Sequence, residues 1–409
     1  MEIAGSLRRR RETVGDVDLL CCVADAAIGE RITSAFVELP VVSRVLNRGA
    51  VKASIVTASG LQVDLRVLAE EHFGAALMYF TGSKEHNVKV RTLAQKKGLT
   101  LNEWGLYKLD EYEKAGKKTS EAPPIKAVAC KSELEIYRKL GMEFVEPEMR
   151  EDRGEVEAAL EGKLPKLIAR ADLKGDLHIH TTASDGGGTI EQMAEAAMEL
   201  GYEYLAITDH SQASVIANGL TPAKLLKHIA AIRKASEKLK SFTLLAGAEV
   251  DILADGRLDY EDKVLAELDI VIASPHVALK QDEAKATDRL LRAINNPYVN
   301  IIGHPTGRMI NAREGLPLDF GKLFAAAARA GVAMEINAGW PRLDLDEFHS
   351  RAAVEAGVKL AINTDAHSVE GLKDIEFGIS TARRGWVQAK DVINCTKVGE
   401  LMKFLRKKK

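Results

Sequence analysis

The chain has 409 residues, 46% of them apolar, and a formal net charge of -2, so it carries no global basic field for a polyanion, although local patches remain open to that role. Its four cysteines (Cys21, Cys22, Cys130, Cys395) form no CxxC pair, which argues against a thiolate zinc site or a disulfide framework and fits a reducing cytosol. The opening "MEIAGSLRRRRETVGDVD" lacks the apolar core of a signal peptide, and no run approaches the ~20 apolar residues of a membrane span, so a cytoplasmic protein without a membrane partner is expected.

The first hundred residues open with a Gly-Ser turn and a basic run. Asp16 and Asp18 follow, one residue apart, and strand alternation puts both on one face. A third carboxylate, Asp64, sits in the strand-like "LQVDLRV". Three such carboxylates can hold two magnesium ions for phosphoryl transfer. A DxD alone also describes a charged edge strand; G-S-x-R-R together with GDxD is more specific. The stretch 79–106 carries Lys84, Lys89, Arg91, Lys96 and Lys97, a set suited to DNA phosphates or to a solvated helix face.

Residues 110–127 are charged and contain two adjacent prolines, so they read as a loop. Ser132 and Glu135 have capping-box spacing ahead of a short helix that Gly141 closes. Residues 151–172 are charged with a helical centre and read as an ordered linker.

From about 173 the pattern changes. Seven apolar runs, "GDLHIH", "EYLAITDH", "FTLLAGAEVDI", "DIVIASPH", "VNIIGHP", "VAMEINA" and "KLAINTDAH", alternate with amphipathic helices. One helix has Thr189 as its expected N-cap and Gly201 as its stop. Seven strand–helix units indicate an α/β fold with a parallel sheet, and the length favours a closed barrel. Six of the ten histidines fall at strand ends, the face that carries barrel chemistry. These are His178, His180, His210, His276, His304 and His367, accompanied by Asp185, Glu249 and Asp365. Imidazole with carboxylate suits zinc, manganese or iron, and nine ligands suit a cluster of two or three ions that clamps a phosphate. The remaining histidines, His72, His86, His228 and His349, lie in helical or loop contexts and read as ordinary surface or core residues.

The order HxH, TDH, a lone Glu, SPH, GHP, TDAH resembles the PHP (polymerase and histidinol phosphatase) domain family. That resemblance implies a distorted (β/α)7 barrel with a trinuclear site. It places His178, His180, Glu249 and Asp365 around one ion. Glu249 bridges to a second ion, shared with His276 and His304. Asp185, His210 and His367 hold the third. Glu249 and Asp365 also count as catalytic, Asp209 becomes an outer support, and Arg308 either meets a phosphate or sits on the surface.

The N-terminal motifs resemble the palm of family X DNA polymerases, and residues 79–106 resemble the thumb of that family. The implied architecture is a mixed α+β nucleotidyltransferase palm and thumb followed by the PHP barrel. Its expected segments are a partial palm (1–72), thumb and connection (73–150), a linker (151–172) and the barrel (173–409). Asp16, Asp18 and Asp64 would be catalytic and bind Mg²⁺. Gly5, Ser6, Arg9 and Gly15 would meet the triphosphate of a dNTP; Tyr79, Phe80 and Gly82 would line its sugar and Asn87 its base. Bacterial members of the family place fingers and a small DNA-binding domain ahead of the palm, and here they do not precede it, so weak nucleotidyl transfer is expected. The resulting expectation is a bacterial, nucleoid-associated DNA repair enzyme whose barrel is a metal-dependent 3′→5′ exonuclease or phosphodiesterase on gapped or 3′-ended DNA. The alternatives are a small-molecule phosphatase of the histidinol phosphatase kind and a non-catalytic DNA-end-binding module.

Overall fold

The computed structural model describes residues 1–24, 28–116 and 122–406. The chain divides into two units, Met1–Pro165 and Lys166–Lys409.

The first unit begins with β1 (Glu2–Ile3), α1 (Gly5–Arg8), β2 (Asp16–Val23), α2 (Gly29–Val37), β3 (Val42–Arg48), β4 (Lys52–Thr57) and β5 (Gln62–Ala69). The five strands form a sheet in the order β1-β2-β5-β4-β3, with β2 and β5 parallel. One face is covered by α3 (Phe73–Thr81), where Ala76 packs with Leu20 and Leu68. Then follow α4 (Lys84–Lys96), the hairpin β6 (Leu99–Asn102) and β7 (Gly105–Lys108), α5 (Leu109–Lys114), α6 (Glu133–Lys139) and α7 (Glu155–Glu161). Gly74 of α3 lies so close to α6 that a Cβ would stand 2.2 Å from the Ser132 Cα, so only glycine lets these helices meet.

Two expectations change here. The stretch 110–127, read as a loop, begins within α5, whose acidic first turn suits a helix N-terminus; residues 117–121 lie outside those described. The stretch 151–172, read as a linker, supplies α7 to the first unit: Glu155 is fully buried, and its carboxylate pairs with His86 Nδ1 at 2.7 Å. The helical centre is present as α7, but its buried partner lies far away in sequence and so did not show in the local letters. The Ser132 cap is present, its hydroxyl accepting from the Glu135 N–H.

The second unit alternates strand and helix: β8 (Gly175–Asp176), α8 (Ile190–Glu199), β9 (Tyr204–Ile207), α9 (Pro222–Glu237), β10 (Thr243–Asp251), α10 (Asp262–Leu265), β11 (Ile270–Ser274), α11 (Glu283–Ile294), β12 (Ile301–Ile302), α12 (Phe320–Ala330), β13 (Ala333–Asn337), α13 (Glu347–Glu355), β14 (Leu360–Asn363), α14 (Ile375–Arg384) and α15 (Val398–Arg406). All seven strands are parallel neighbours in chain order. The expected cap of α8 is present as a reciprocal capping box between Thr189 and Gln192.

Period-two alternation builds the barrel. Leu244, Ala246, Ala248 and Val250 of β10 face the helices in one large core, while Leu245 belongs to a second, inner cluster. That inner cluster includes Tyr204, Ile270, Ile272, Ile301, Ala333 and Ala361, and Leu401 and Leu405 of α15 join it. Continuing the inward row past this apolar layer reaches Glu249, Glu335, Asn337 and Asn363, all fully buried. The last gap closes where the chain after β8 meets the chain after β14: the His180 N–H donates to the Ala366 carbonyl and the Asp365 N–H to the His178 carbonyl, both at 2.9 Å. The barrel is therefore apolar at the bottom and polar at the C-terminal mouth. Among the described residues no helix is long and apolar enough to cross a membrane.

Candidate metal centre

Glu249 lies on the inward row of β10 and is fully buried. Five imidazoles face its carboxylate. His304 Nε2 lies 2.8 Å from Oε1, His276 Nε2 3.3 Å and His178 Nε2 3.4 Å; His210 Nδ1 lies 2.8 Å from Oε2 and His180 Nε2 3.7 Å. Asp365 stands 2.9 Å from His180 Nε2 and 3.6 Å from His178 Nε2. Asp185, at the rim, reaches His367 Nε2 at 3.4 Å and His210 Nε2 at 3.6 Å. All nine strand-end candidates thus gather at one mouth.

Three groups bring one ligand atom per residue within 4.8 Å of one another: His178, His180, Glu249 and Asp365; His210, Glu249 and His276; and His180, Asp185, His210 and His367. The first matches the expected set. The second takes His210 where His304 was expected, because the His210 ring turns Nδ1 to Glu249. The third adds His180, whose ring stacks on both His210 and His367 at centroid distances of 4.3 and 4.2 Å.

The residues fit metal ions. His178 Nε2, His180 Nδ1 and His304 Nδ1 are buried atoms without a hydrogen-bond partner, and His210 Nδ1 and Glu249 Oε2, though 2.8 Å apart, lack hydrogen-bond geometry. Leaving so many polar atoms unsatisfied is costly, and a cation accepting their lone pairs removes that cost. The electrostatics agree. Burial opposes charge on Glu249, yet His276, His178 and His210 hold its carboxyl well below the usual range. Burial likewise opposes charge on Asp365, and His178 and His180 hold it well down. His180 and His304 are lowered, first by burial, then by His210 and Arg342 respectively, whereas nearby carboxylates raise His178, His210, His276 and His367 against burial, so a cation bound at these four would displace protons.

Several supporting residues carry little sequence signal. Glu335 Oε1 sits 2.8 Å from His178 Nδ1, and Glu335 Oε2 accepts the His304 backbone N–H. Asp251 Oδ1 sits 2.9 Å from His276 Nδ1, and the Asn337 amide donates to Asp365 Oδ2. Glu335, Asn337 and Asp251 all obey the inward alternation, two residues apart within their strands, and that periodicity is the signal that could have found them. Such partners fix ring orientation and raise ligand basicity. Asp209 accepts from Thr181, Ser184 and His228 and so braces the first strand end, as expected; His228 is its partner. Arg308 spends its guanidinium on the Arg342 and Leu343 carbonyls. Arg342, which nothing in its local sequence marks, puts Nε 3.8 Å from Asp365 Oδ2 at the mouth.

In the first unit, Asp18 and Asp64 are register partners across β2 and β5, and Asp16 lies two residues back along the same face. Among the described residues these three form no ligand-distance group of the kind seen in the barrel. Burial, then the Asp16 and Asp64 charges, push the Asp18 carboxyl up, and Asp64 Oδ1 is buried without a partner. Gly5 has φ +63° and no room for a Cβ, which would stand 2.2 Å from Asp18 Oδ2, so the Gly-Ser turn folds directly onto the carboxylate. Ser6 follows on the same turn of α1, and Gly15 is exposed just before β2. Arg9 is turned to Glu151 at 3.0 Å and to the Thr81 carbonyl at 2.5 Å. Gly82, with φ +72°, lies against Arg9, and the Tyr79 and Phe80 rings meet edge-on at 5.1 Å. The Asn87 amide donates to the Tyr79 carbonyl. Of the basic set on and just after α4, Lys84, Arg91, Lys96 and Lys97 are exposed, whereas Lys89 pairs with Asp152 and Glu157 at 2.7 and 2.8 Å.

Comparisons with known proteins follow the same division. The sequence profile of the DNA polymerase beta thumb matches residues 76–151, and that of the PHP domain matches residues 176–338. A DNA polymerase/3′-5′ exonuclease PolX of Bacillus subtilis (strain 168) is 41% identical over 406 residues, 99% of this chain and 68% of that protein. A probable phosphatase of Thermoanaerobacter sp. (strain X514) is 31% identical over 245 residues, 57% of this chain and 95% of that protein. A crystal structure of Leishmania infantum polymerase beta in a ternary complex is 30% identical, covers 37% of this chain and 66% of its own, and has a TM-score of 0.33. With two profiles in order and a relative aligned across 99% of this chain, the chain belongs to the family of the DNA polymerase/3′-5′ exonuclease PolX.

Proposed function

We propose that the barrel is a metal-dependent 3′→5′ exonuclease acting on DNA ends. The observation that carries the reading is the sharing of Glu249, His180 and His210 among overlapping ligand groups, an arrangement suited to a cluster rather than to one ion. The resemblance to a Bacillus protein named as a polymerase and exonuclease supports DNA as the substrate. His178, His180, Asp185, His210, Glu249, His276, His304, Asp365 and His367 hold the ions, which the donor set marks as zinc, manganese or iron. When bound, such ions supply Lewis-acid polarisation and charge neutralisation at a phosphate. The protein's part is to hold Glu249 and Asp365 ionised in a buried site and to fix the imidazoles through Glu335 and Asp251. In the reaction a water oxygen bonds to the terminal phosphorus and the bond from phosphorus to the penultimate 3′ oxygen breaks. A 5′-mononucleotide leaves, and the shortened strand keeps a 3′-hydroxyl.

The first unit is a palm and thumb with a second site, in which Asp16, Asp18 and Asp64 bind Mg²⁺. Gly5, Ser6, Arg9, Gly15, Tyr79, Phe80, Gly82 and Asn87 receive a dNTP. Because Arg9 and Asn87 are turned to Glu151 and Tyr79, both must exchange partners to do so. Lys84, Arg91, Lys96 and Lys97 meet DNA phosphates.

The test is a 5′-labelled oligonucleotide with Mn²⁺, scored against histidinol phosphate. A descending ladder from the 3′ end, with the oligonucleotide turned over faster, is expected. Faster turnover of histidinol phosphate hands the site to a small-molecule phosphatase, the reading to which the likeness to a probable phosphatase of Thermoanaerobacter points.

A further inference from the structure

Beside the metal centre lies a cavity of about 520 Å³, bordered by His210, His276, His367, Arg342, Val215 and Ile216. Its two walls differ sharply. One is the polar centre. The other is a short turn whose tip carries Val215, 78% exposed, and Ile216, fully exposed. A pair of adjacent branched apolar side chains in water is unfavourable unless something covers them.

The turn is not loose. Ser214 Oγ donates to Asp251 Oδ2 at 2.6 Å, the Ala213 N–H donates to Asp259 Oδ2 at 2.7 Å, and the Leu220 N–H donates to the His210 carbonyl at 2.8 Å. Gly219 closes the base, where a Cβ would stand 1.9 Å from the Ser211 carbonyl oxygen, so no other residue fits. Asp251, which anchors the turn through Oδ2, meets His276 through Oδ1. The apolar tip is thus held at a fixed height above the centre by the same carboxylate that orients one of its imidazoles.

Across the cavity, Arg342 places Nε 3.8 Å from Asp365 Oδ2 with its guanidinium partly exposed. A planar fork of donors there suits a phosphate oxygen. A cation for the phosphate on one side and a rigid apolar edge on the other match the two ends of a nucleotide.

The geometry points to a nucleoside-recognition lip: Val215 and Ile216 pack against the base and sugar of the terminal nucleotide while Arg342 binds its phosphate. This rests on the exonuclease reading of the centre and adds what selects a nucleotide over a bare phosphate ester. The contact is apolar and sequence-blind, so the lip grips any of the four bases. Neither residue contributes a ligand atom, so the lip discriminates among substrates rather than carrying out the chemistry.

The experiment compares two phosphodiesters with the same p-nitrophenol leaving group, thymidine 5′-(p-nitrophenyl phosphate) and methyl p-nitrophenyl phosphate, using the full chain with Mn²⁺. In Val215→Ser/Ile216→Ser, kcat/KM for the thymidine ester is expected to fall about tenfold more than for the methyl ester, mainly through KM. Arg342→Gln is expected to lower both in proportion. Saturation-transfer NMR on thymidine 5′-monophosphate with the metal-free full chain gives a second readout: transfer to the base and sugar protons falls in the double variant. Val215 and Ile216 are exposed, so the double variant is expected to keep its fold, which circular dichroism checks. If both esters lose equally, or if neither changes, the lip is wrong while the centre stands. If the unsubstituted protein cleaves neither ester, the exonuclease reading fails and the lip falls with it.

Discussion

Glu335 Oε1 lies 2.8 Å from Nδ1 of His178, beneath the metal centre, and both residues are fully buried. The pair points His178 Nε2 at Glu249 and Asp365. Glu335 also accepts from the His304 backbone and the Asn363 amide, so one carboxylate steadies two ligands.

Glu335→Gln keeps the shape but removes the charge that makes His178 basic. Metal affinity is expected to fall about 10- to 100-fold, the range for partners of metal-bound histidines. Competition titration against a chromophoric chelator measures it; an unchanged affinity would mean that Glu335 only fills space.

Glu249→Ala removes the acceptor that five imidazoles share. About three transition ions per chain are expected in the unsubstituted protein, and about one or fewer in the variant. Elemental analysis of protein prepared without chelator reads both values. Full metal content in the variant would show that the ions sit elsewhere.

The two sites should fail separately. His180→Ala, which loses an imidazole placed in two of the three ligand groups, is expected to lose 3′-end degradation by at least about 100-fold. Asp64→Ala is expected to abolish the weak primer extension on gapped DNA, through its own pair of ions. Parallel gel assays of both variants check this. Equal loss of both activities in either variant would contradict two independent centres.

Glu133 links pH to the stability of the first unit. Burial opposes its charge, but Arg150 and Arg8, paired with it at 2.6 Å each, bring its pKa down to about 2. The unfolded value is about 4.3, so the carboxylate contributes roughly 3 kcal/mol once the pH exceeds the unfolded value. The contribution is lost as pH falls from about 4 through about 2. Thermal melts of the unsubstituted protein and Glu133→Gln are expected to differ most at neutral pH and to converge below pH ~2. A gap that stays constant with pH would remove Glu133 from the account.

The letters themselves reveal a good part of this protein. Each barrel strand carries its chemistry within a few residues of its own end, as in "LHIH" or "INTDAH", and alternation along a strand is a local property. The inward row that carries Glu249 can therefore be read from the sequence, as can the Thr189 and Ser132 caps. What tertiary structure alone decided is which inward residues meet. His178 and Glu335 are 157 positions apart, and His86 and Glu155 are 69 apart. The strand period states which face a residue takes but not the register and tilt that set its neighbours on other strands. The same limit explains why His210 turned to Glu249, why Arg9 and Lys89 found carboxylates in residues read as a linker, and why Arg342 could not be singled out. A charged side chain is placed by the partner that repays its burial, and chain folding brings that partner from far along the sequence.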